Sequence, residues 1–213
     1  MSDFKSSSVS AMPGTERRAP AQARSQSRMA RALDTATELL LEAGPEKTSI
    51  PEIAKRSGVP RASIYQYFPD KYELFAHLAA QHMERVAGIA ASVRAEAPDA
   101  PWRELVDAIV RAVSAYYNEN RAASLLLLDG PFSSADRDAH RLKDAALGNV
   151  LREHAARNGA LRTLPAEPDA AALAVGIAFA CMKYGYLTDG RISDAICTEA
   201  SRAVVGYLAA FEG

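Results

Sequence analysis

This sequence has little cysteine, no surplus of either charge and no long apolar run. Its two cysteines, Cys181 and Cys197, lie in apolar stretches, and no secretory pattern is present, so we expect reduced, buried thiols and a cytoplasmic protein. The 25 Lys and Arg residues nearly balance 26 Asp and Glu residues, so any binding of nucleic acid must depend on a local patch. The longest apolar run, residues 170–182, is shorter than the roughly 20 residues that span a bilayer, and it predicts a buried helix.

The common sequence motifs of enzymes are also missing. The chain contains no GxxxxGK[ST], GxGxxG, HExxH, CxxC or GxSxG. His140 has acidic neighbours at four-residue spacing, Asp136 and Asp144, which could hold a metal, but such residues more commonly lie on a solvated helix face. We therefore predict a protein that is not an enzyme and needs neither a metal nor a cofactor.

From residue 25 onward the chain has the apolar periodicity of helices. The first stripe has spacings of four and three residues until Gly44 and Pro45 interrupt it: Met29, Leu33, Ala36, Leu40 and Ala43. No stretch alternates as a strand does, and no repeat is visible. The pattern predicts an all-α fold of about nine helices. It also predicts a flexible arm over 1–24, a helix-turn-helix domain over 25–70 and a helical domain over 71–213.

Residues 57–71, SGVPRASIYQYFPDK, predict the second half of a helix-turn-helix. Ser49 and Glu52 have the spacing of a capping box, and Gly58 suits the left-handed end of the helix that follows. In the next, short helix, Ile64 and Phe68 share one buried side. The residues on its other sides are Arg61, Ala62, Ser63, Tyr65, Gln66 and Tyr67.

These outward residues suit the major groove of DNA. Arg61 can donate two hydrogen bonds to guanine, and Gln66 can pair with adenine. Tyr65 and Tyr67 can reach bases or phosphates, while Ala62 allows close approach to a thymine methyl group. Ser49, at a helix N-terminus, and the cationic Lys71 suit phosphates. The alternative is a solvent-exposed helix on an unrelated helical protein.

The stretch TSIPEIAKRSGVPRASIYQYFPDKYELF, with its core IAxxxGVxxxxIYxYFxxKxxLF, resembles the N-terminal domain of the tetracycline-repressor (TetR) family of bacterial transcription regulators. The resemblance extends from Met29 to Met83. It implies base contacts from Arg61, Ala62 and Tyr65, and phosphate contacts from Ser49, Ser63, Tyr67 and Lys71. Pro60 departs from the family, since many members have a serine or threonine cap there.

The resemblance implies a regulator, most commonly a repressor, that a small and mostly apolar effector releases from a palindromic operator. The alternative is a helical small-molecule-binding or adaptor protein that does not bind DNA. Such a protein would have little reason to expose Arg61, Tyr65, Tyr67 and Lys71 together. The operator, the regulated genes, the direction of regulation and the effector stay open.

Two further expectations concern the C-terminal helices. Apolar helices at about 170–187 and 192–211 predict a homodimer built on a four-helix bundle. An effector pocket is expected around the helix at about 102–116, with Tyr117 and His140 as its polar groups, although any one of these residues could be ordinary core. Its predicted lining is Met83, Val86, Trp102, Val106, Ile109, Val113, Tyr116, Tyr117, Leu126, Phe132, His140, Leu147 and Phe179.

Overall fold

The computed structural model describes residues 18–129, 134–157, 161 and 164–212. Within these residues the chain forms nine α-helices and no β-strand, which confirms the predicted all-α fold. The helices are α1 (Arg18–Lys47), α2 (Ile50–Ser57), α3 (Arg61–Tyr65), α4 (Lys71–Glu96), α5 (Trp102–Glu119), α6 (Arg121–Leu127), α7 (Ser134–Arg157), α8 (Ala170–Asp189) and α9 (Asp194–Ala209).

Helix α1 begins earlier than the sequence pattern predicts. Residues 18–24 are helical, so the predicted flexible arm is wrong for this stretch, and residues 1–17 lie outside the described residues. The stretch is rich in alanine, glutamine and arginine, which favour helix, and Pro20 falls in the first turn, where proline is tolerated. At the other end, Gly44 adopts φ 78° and kinks the helix where the sequence predicts a stop.

The helix-turn-helix forms as its local signals predict. The Ser49 hydroxyl accepts a hydrogen bond from the Glu52 amide at 3.4 Å, and Gly58 ends α2 with φ 67°. Pro60 precedes α3 without a side-chain cap, and its φ of −55° suits helix entry. Ile64 and Phe68 are buried, which turns the opposite side of α3 towards solvent.

Helix α4 connects the N-terminal helices to the rest of the fold. The Asp70 carboxylate caps it by accepting hydrogen bonds from the amides of Tyr72 and Glu73, at 2.8 and 2.9 Å. Farther along, α4 packs on α5, α6 and α7. Buried residues from α1 to α9 join one core cluster, so the division of the chain at residue 70 stays a prediction.

Helix α8 packs closely on both α7 and α9. A Cβ atom added to Gly148 of α7 would lie 2.9 Å from the Ala172 backbone nitrogen of α8, so this pair of helices needs a glycine at the contact. Among the described helices, α8 alone has the length and composition of a membrane span, and 33% of that apolar window is buried. Ala171, Ala174 and Ala178 of α8 are buried within this subunit.

Candidate nucleic-acid interface and ligand pocket

The predicted base-reading side chains lie together on the outside of α3 and the turn after it. Tyr65 and Tyr67 are 42% and 54% exposed, which is high for tyrosine. Arg61, Ala62 and Gln66 are exposed as well, and the Arg61 guanidinium carbon lies 6.0 Å from the centroid of the Tyr65 ring. The sixth residue, Ser63, is half-buried. The fold thus presents a contiguous polar and aromatic surface.

The predicted phosphate ligands Ser49 and Lys71 both have structural roles. The Ser49 hydroxyl caps α2. The Lys71 ammonium donates to the carbonyl oxygens of Pro45 and Glu46, at 2.9 and 3.1 Å, and thereby ties the start of α4 to the end of α1. Lys71 is therefore not the free cation that the sequence suggests, because two of its three N–H groups are engaged within the chain.

The N-terminal part of α1 lies beside this surface. The Ser25 Oγ atom is 3.0 Å from the Tyr67 hydroxyl, and either oxygen can donate the hydrogen bond. Arg24, Arg28 and Arg31 are exposed on α1. Their spacing of four and three residues places them within about 60° of arc and about 10 Å of helix length. The spacing of these arginines is the sequence signal for this basic stripe, and only Arg24 falls within the predicted arm.

A different arginine holds α2 in place. Arg56 makes two hydrogen bonds to the Glu42 carboxylate of α1, at 2.5 and 2.7 Å, with Glu38 at 3.9 Å. The hydrogen bond from Arg56 lowers the pKa of Glu42, so this pair stays ionised at neutral pH. Arg56 therefore orients the helix-turn-helix, while the stripe on α1 stays available to a partner.

Among the C-terminal helices lies a small apolar cavity of about 60 Å³. Five of the predicted pocket residues line it: Val106, Ile109, Val113, Leu147 and Phe179. The other lining residues are Ala90, Val110, Leu151, Ala174, Val175, Ala178 and Val204. The cavity is thus lined by α5, as the sequence predicts. Helices α7, α8 and α9 contribute more of its lining than the sequence indicates.

The structure places several predicted pocket residues elsewhere. Val86 and Leu126 are wholly buried in the core, because they sit where α4 and α6 meet other helices. The indole of Trp102 donates to the Glu212 carboxylate at 2.8 Å, which holds it at the chain's C-terminal end. Met83 lines a separate groove of about 240 Å³. Phe132 lies outside the described residues.

Tyr116 and the two predicted polar groups of the pocket, Tyr117 and His140, do not line this cavity. Tyr116 lines another groove, where its hydroxyl lies 2.6 Å from His82 Nδ1. His140 is half-buried on α7. Tyr117 is fully buried, and its ring meets Phe179 edge-on with 5.8 Å between centroids. Burial, with Tyr116 and Asp144 nearby, raises the pKa of Tyr117 well above its usual value, so the phenol stays protonated.

A lysine beside the cavity was missed in the sequence. Lys143 is 4% exposed, and its ammonium lies 3.1 Å from the centroid of the Phe179 ring and 2.9 Å from an Asp144 carboxylate oxygen. Burial lowers the pKa of Lys143, while Asp144 opposes that shift. Lys143 precedes Leu147 and Leu151 at four-residue spacing, so a charged residue within an apolar stripe was the signal that could have found it.

The exposed apolar surface of the C-terminal helices is concentrated on α8. Leu173, Tyr184 and Leu187 are 48%, 65% and 55% exposed. Together with Ile177 and Ala180 they form a stripe with spacings of four and three residues, which we call the α8 stripe. The α9 contribution is smaller than expected, because Val204 is buried and lines the cavity, while Ile196 packs against the core.

These features define a class of protein, an all-α chain with a helix-turn-helix near its N-terminus and an apolar cavity among its C-terminal helices. The family model "Bacterial regulatory proteins, tetR family" matches residues 32–78. The HTH-type transcriptional regulator AcrR of Shigella flexneri is 30% identical over 94 residues, which are 44% of this chain and 44% of that protein. Residues 32–78 are thus similar to the tetR family of bacterial regulatory proteins.

Solved structures share the fold over most of the chain. A TetR-family transcriptional regulator from Streptomyces coelicolor is 24% identical, with a TM-score of 0.68 over 88% of this chain and 98% of that one. RolR in complex with resorcinol is 24% identical, with a TM-score of 0.63 over 87% and 89%. The sequence match to AcrR spans less than half of that regulator, so a function for the whole chain must be argued from its own residues.

Proposed function

We propose that this protein is a DNA-binding transcriptional regulator that acts as a repressor. A small and mostly apolar effector releases it from a palindromic operator. The observation that carries the proposal is the exposed surface of Arg61, Tyr65 and Gln66 over the buried Ile64 and Phe68. Residues 25–70 would form the DNA-binding domain and residues 71–213 the regulatory domain. A protein that acts on bacterial DNA works in the cytoplasm.

In this proposal α3 enters the major groove. Arg61 and Gln66 would donate to base edges, while Ala62 and Tyr65 fit against them. Tyr67 and the half-buried Ser63 would contact phosphates, as would the Ser49 hydroxyl at the start of α2. Such phosphate contacts fix the position of the protein, whereas base contacts select the sequence.

The arginine stripe of α1 extends this surface. Ser25 contacts Tyr67, so the exposed Arg24, Arg28 and Arg31 lie near the proposed phosphate contacts. Guanidinium groups suit phosphate geometry, and their attraction to phosphate does not depend on base sequence. We assign to these arginines the nonspecific part of DNA affinity that the sequence analysis gave to Lys71.

A second copy of the chain would cover the α8 stripe. A regular row of half-exposed apolar side chains, including Leu173, Tyr184 and Leu187, is unusual on a monomer surface and typical of an interface. Pairing of α8 and α9 with their counterparts makes an isologous dimer. Two α3 helices would then contact half-sites roughly 34–36 Å apart on one face of the DNA.

The cavity offers a way to change the separation of the two α3 helices in the dimer. Ligand sites usually have volumes of about 300–1,000 Å³, so a cavity of about 60 Å³ must widen to admit an effector. Ala90 of α4 lines the cavity, and Lys71, at the other end of α4, is fixed to α1. Widening would therefore tilt α4 and change the separation of the two α3 helices. A ligand complex among the structural neighbours, RolR with resorcinol, supports a small effector.

The test is binding of the protein to the DNA upstream of its own gene. Arg61→Ala should weaken operator binding by about 1–3 kcal/mol and relax the preference at one base position. Arg157→Ala, which removes an exposed arginine at the end of α7, is the matched control and should bind as the wild type does. Equal affinity and preference for Arg61→Ala would refute the docking of α3. If the wild type binds no DNA, the alternative of a small-molecule-binding or adaptor protein takes its place.

A further inference from the structure

A buried charged cluster lies next to the apolar cavity, between α5, α7 and α8. Phe179 lines the cavity, and its ring also carries the Lys143 ammonium at 3.1 Å from the centroid. This distance is well inside the range of a cation–π contact. The carboxylate beside the ammonium is that of the next residue, Asp144, at 2.9 Å. A lysine this deeply buried needs charge compensation, so its surroundings bear on what the cavity can bind.

Helix α5 carries two buried hydroxyl groups without partners in the described part of the chain, and one of them, that of Tyr117, reaches this cluster. The Tyr117 hydroxyl and the Ser114 Oγ atom are buried and have no hydrogen-bond partner among the described residues. Tyr117 reaches the cluster through the edge-on contact of its ring with Phe179, and it lies close enough to Asp144 for that charge to raise its pKa. Buried polar groups in proteins are nearly always hydrogen-bonded. The unsatisfied Tyr117 hydroxyl, whose ring packs on the cavity-lining Phe179, therefore indicates a missing ligand group.

The donors of the cluster share one carboxylate. The Lys143 ammonium carries three N–H groups, and Tyr117 has an O–H group. The Asp144 carboxylate is the acceptor beside them. Its Oδ1 atom is buried and makes an ion pair with Lys143 at 2.9 Å without a well-directed hydrogen bond, while the side chain as a whole is 28% exposed at a surface groove of about 650 Å³. Adjacent residues of a helix do not face each other, so Lys143 must fold back to reach Asp144. A competing acceptor can replace Asp144, because water can solvate the displaced carboxylate.

We propose that this cluster binds the carboxylate of an apolar acid. The carboxylate pairs with Lys143 and accepts a hydrogen bond from Tyr117, while the apolar body widens the cavity beside Val113 and Leu147. This inference rests on the proposed function, since it names the chemical class of the effector. A neutral alcohol cannot form an ion pair with Lys143, so Asp144 would remain the partner of the ammonium. An organic cation would be repelled by the ammonium.

The experiment compares three probes that share one apolar chain: octanoate, octan-1-ol and octylamine. Calorimetry on the full-length protein without DNA gives the Kd of each. Octanoate should bind about tenfold more tightly than octan-1-ol, which corresponds to about 1.4 kcal/mol, and octylamine should bind most weakly. Lys143→Met keeps the length of the side chain and should abolish the preference for the acid. Tyr117→Phe should reduce it, and Lys183→Met, a half-buried lysine on α8, should leave it intact.

Three results would overturn the proposal: equal binding of acid and alcohol, tighter binding of the amine, or no binding of any probe at millimolar concentration. An acid preference that survives in both Lys143→Met and Tyr117→Phe would do so as well. If Lys143→Met fails to fold, Tyr117→Phe alone decides, because it removes a single oxygen. Binding to operator DNA is measured separately. Acid binding without DNA binding would thus refute the proposed regulator function and support the carboxylate site. DNA binding without acid binding would refute the carboxylate site alone.

Discussion

Replacement of Gly148 by alanine tests how closely α7 and α8 pack beside the cavity. A Cβ atom at Gly148 would lie 2.9 Å from the Ala172 nitrogen and 3.0 Å from the Ala171 carbonyl carbon. Both are backbone atoms, so a change of rotamer cannot relieve the contact and the two helices must separate. Gly88, within α4, has no atom within 4 Å of the same added Cβ. The two glycines therefore make a matched pair.

The two substitutions should have opposite effects on stability. Within a helix, alanine is favoured over glycine by about 1 kcal/mol, so Gly88→Ala should raise the free energy of unfolding by about that amount. Gly148→Ala has the same gain, but overpacking costs about 1–3 kcal/mol, and contact with backbone puts it at the upper end. We expect a net loss of about 1–2 kcal/mol.

Thermal unfolding at one protomer concentration, without ligand, measures both variants. For a chain of this size each kcal/mol shifts Tm by about 2–4 °C, so the two Tm values should lie on opposite sides of the wild type. If both variants raise Tm by similar amounts, α7 and α8 are not held at the distance that the contacts indicate. The reasoning from close helix packing would then fail.

Three other predictions concern DNA, assembly and pH. Arg28→Ala should weaken binding to all DNA sequences alike and flatten the dependence of log affinity on log salt by about 0.9, and an unchanged slope would remove this arginine from the interface. Tyr184→Glu should make the protein a monomer in sedimentation, while Leu142→Glu, at an apolar residue that is 73% exposed on α7, should leave a dimer; two dimers would exclude the α8 stripe. Burial, with Arg85 nearby, lowers the pKa of His82 below 6.5, so its contribution to stability is complete above that pH and is lost as the pH falls. As the pH falls below 6.5, the free energy of unfolding of His82→Gln should therefore decrease less than that of the wild type. The difference between the two slopes should be less than about 1.4 kcal/mol per pH unit. Parallel plots of the free energy of unfolding against pH would contradict the lowered pKa.

The features that the sequence predicts well are those that neighbouring residues decide. The cap at Ser49 and the left-handed Gly58 involve partners within a few residues, so they can be read without the fold. The burial of Ile64 and Phe68 follows in the same way from helical spacing. The outward surface of α3 was therefore predictable, and the family model over residues 32–78 agrees with it.

The sequence by itself determined that this chain is helical, where most helices begin and end, and which side of α3 faces outward, because hydrogen bonds and side-chain periodicity within a helix are local. The tertiary structure alone decided what distant residues do to one another. Lys71 donates to carbonyl groups 25 and 26 residues away, and Lys143 is buried against Phe179 of another helix. The partners of a long charged side chain depend on which helices pack around it, so the spacing of Lys143 marks its side of α7 but not the groups that it contacts.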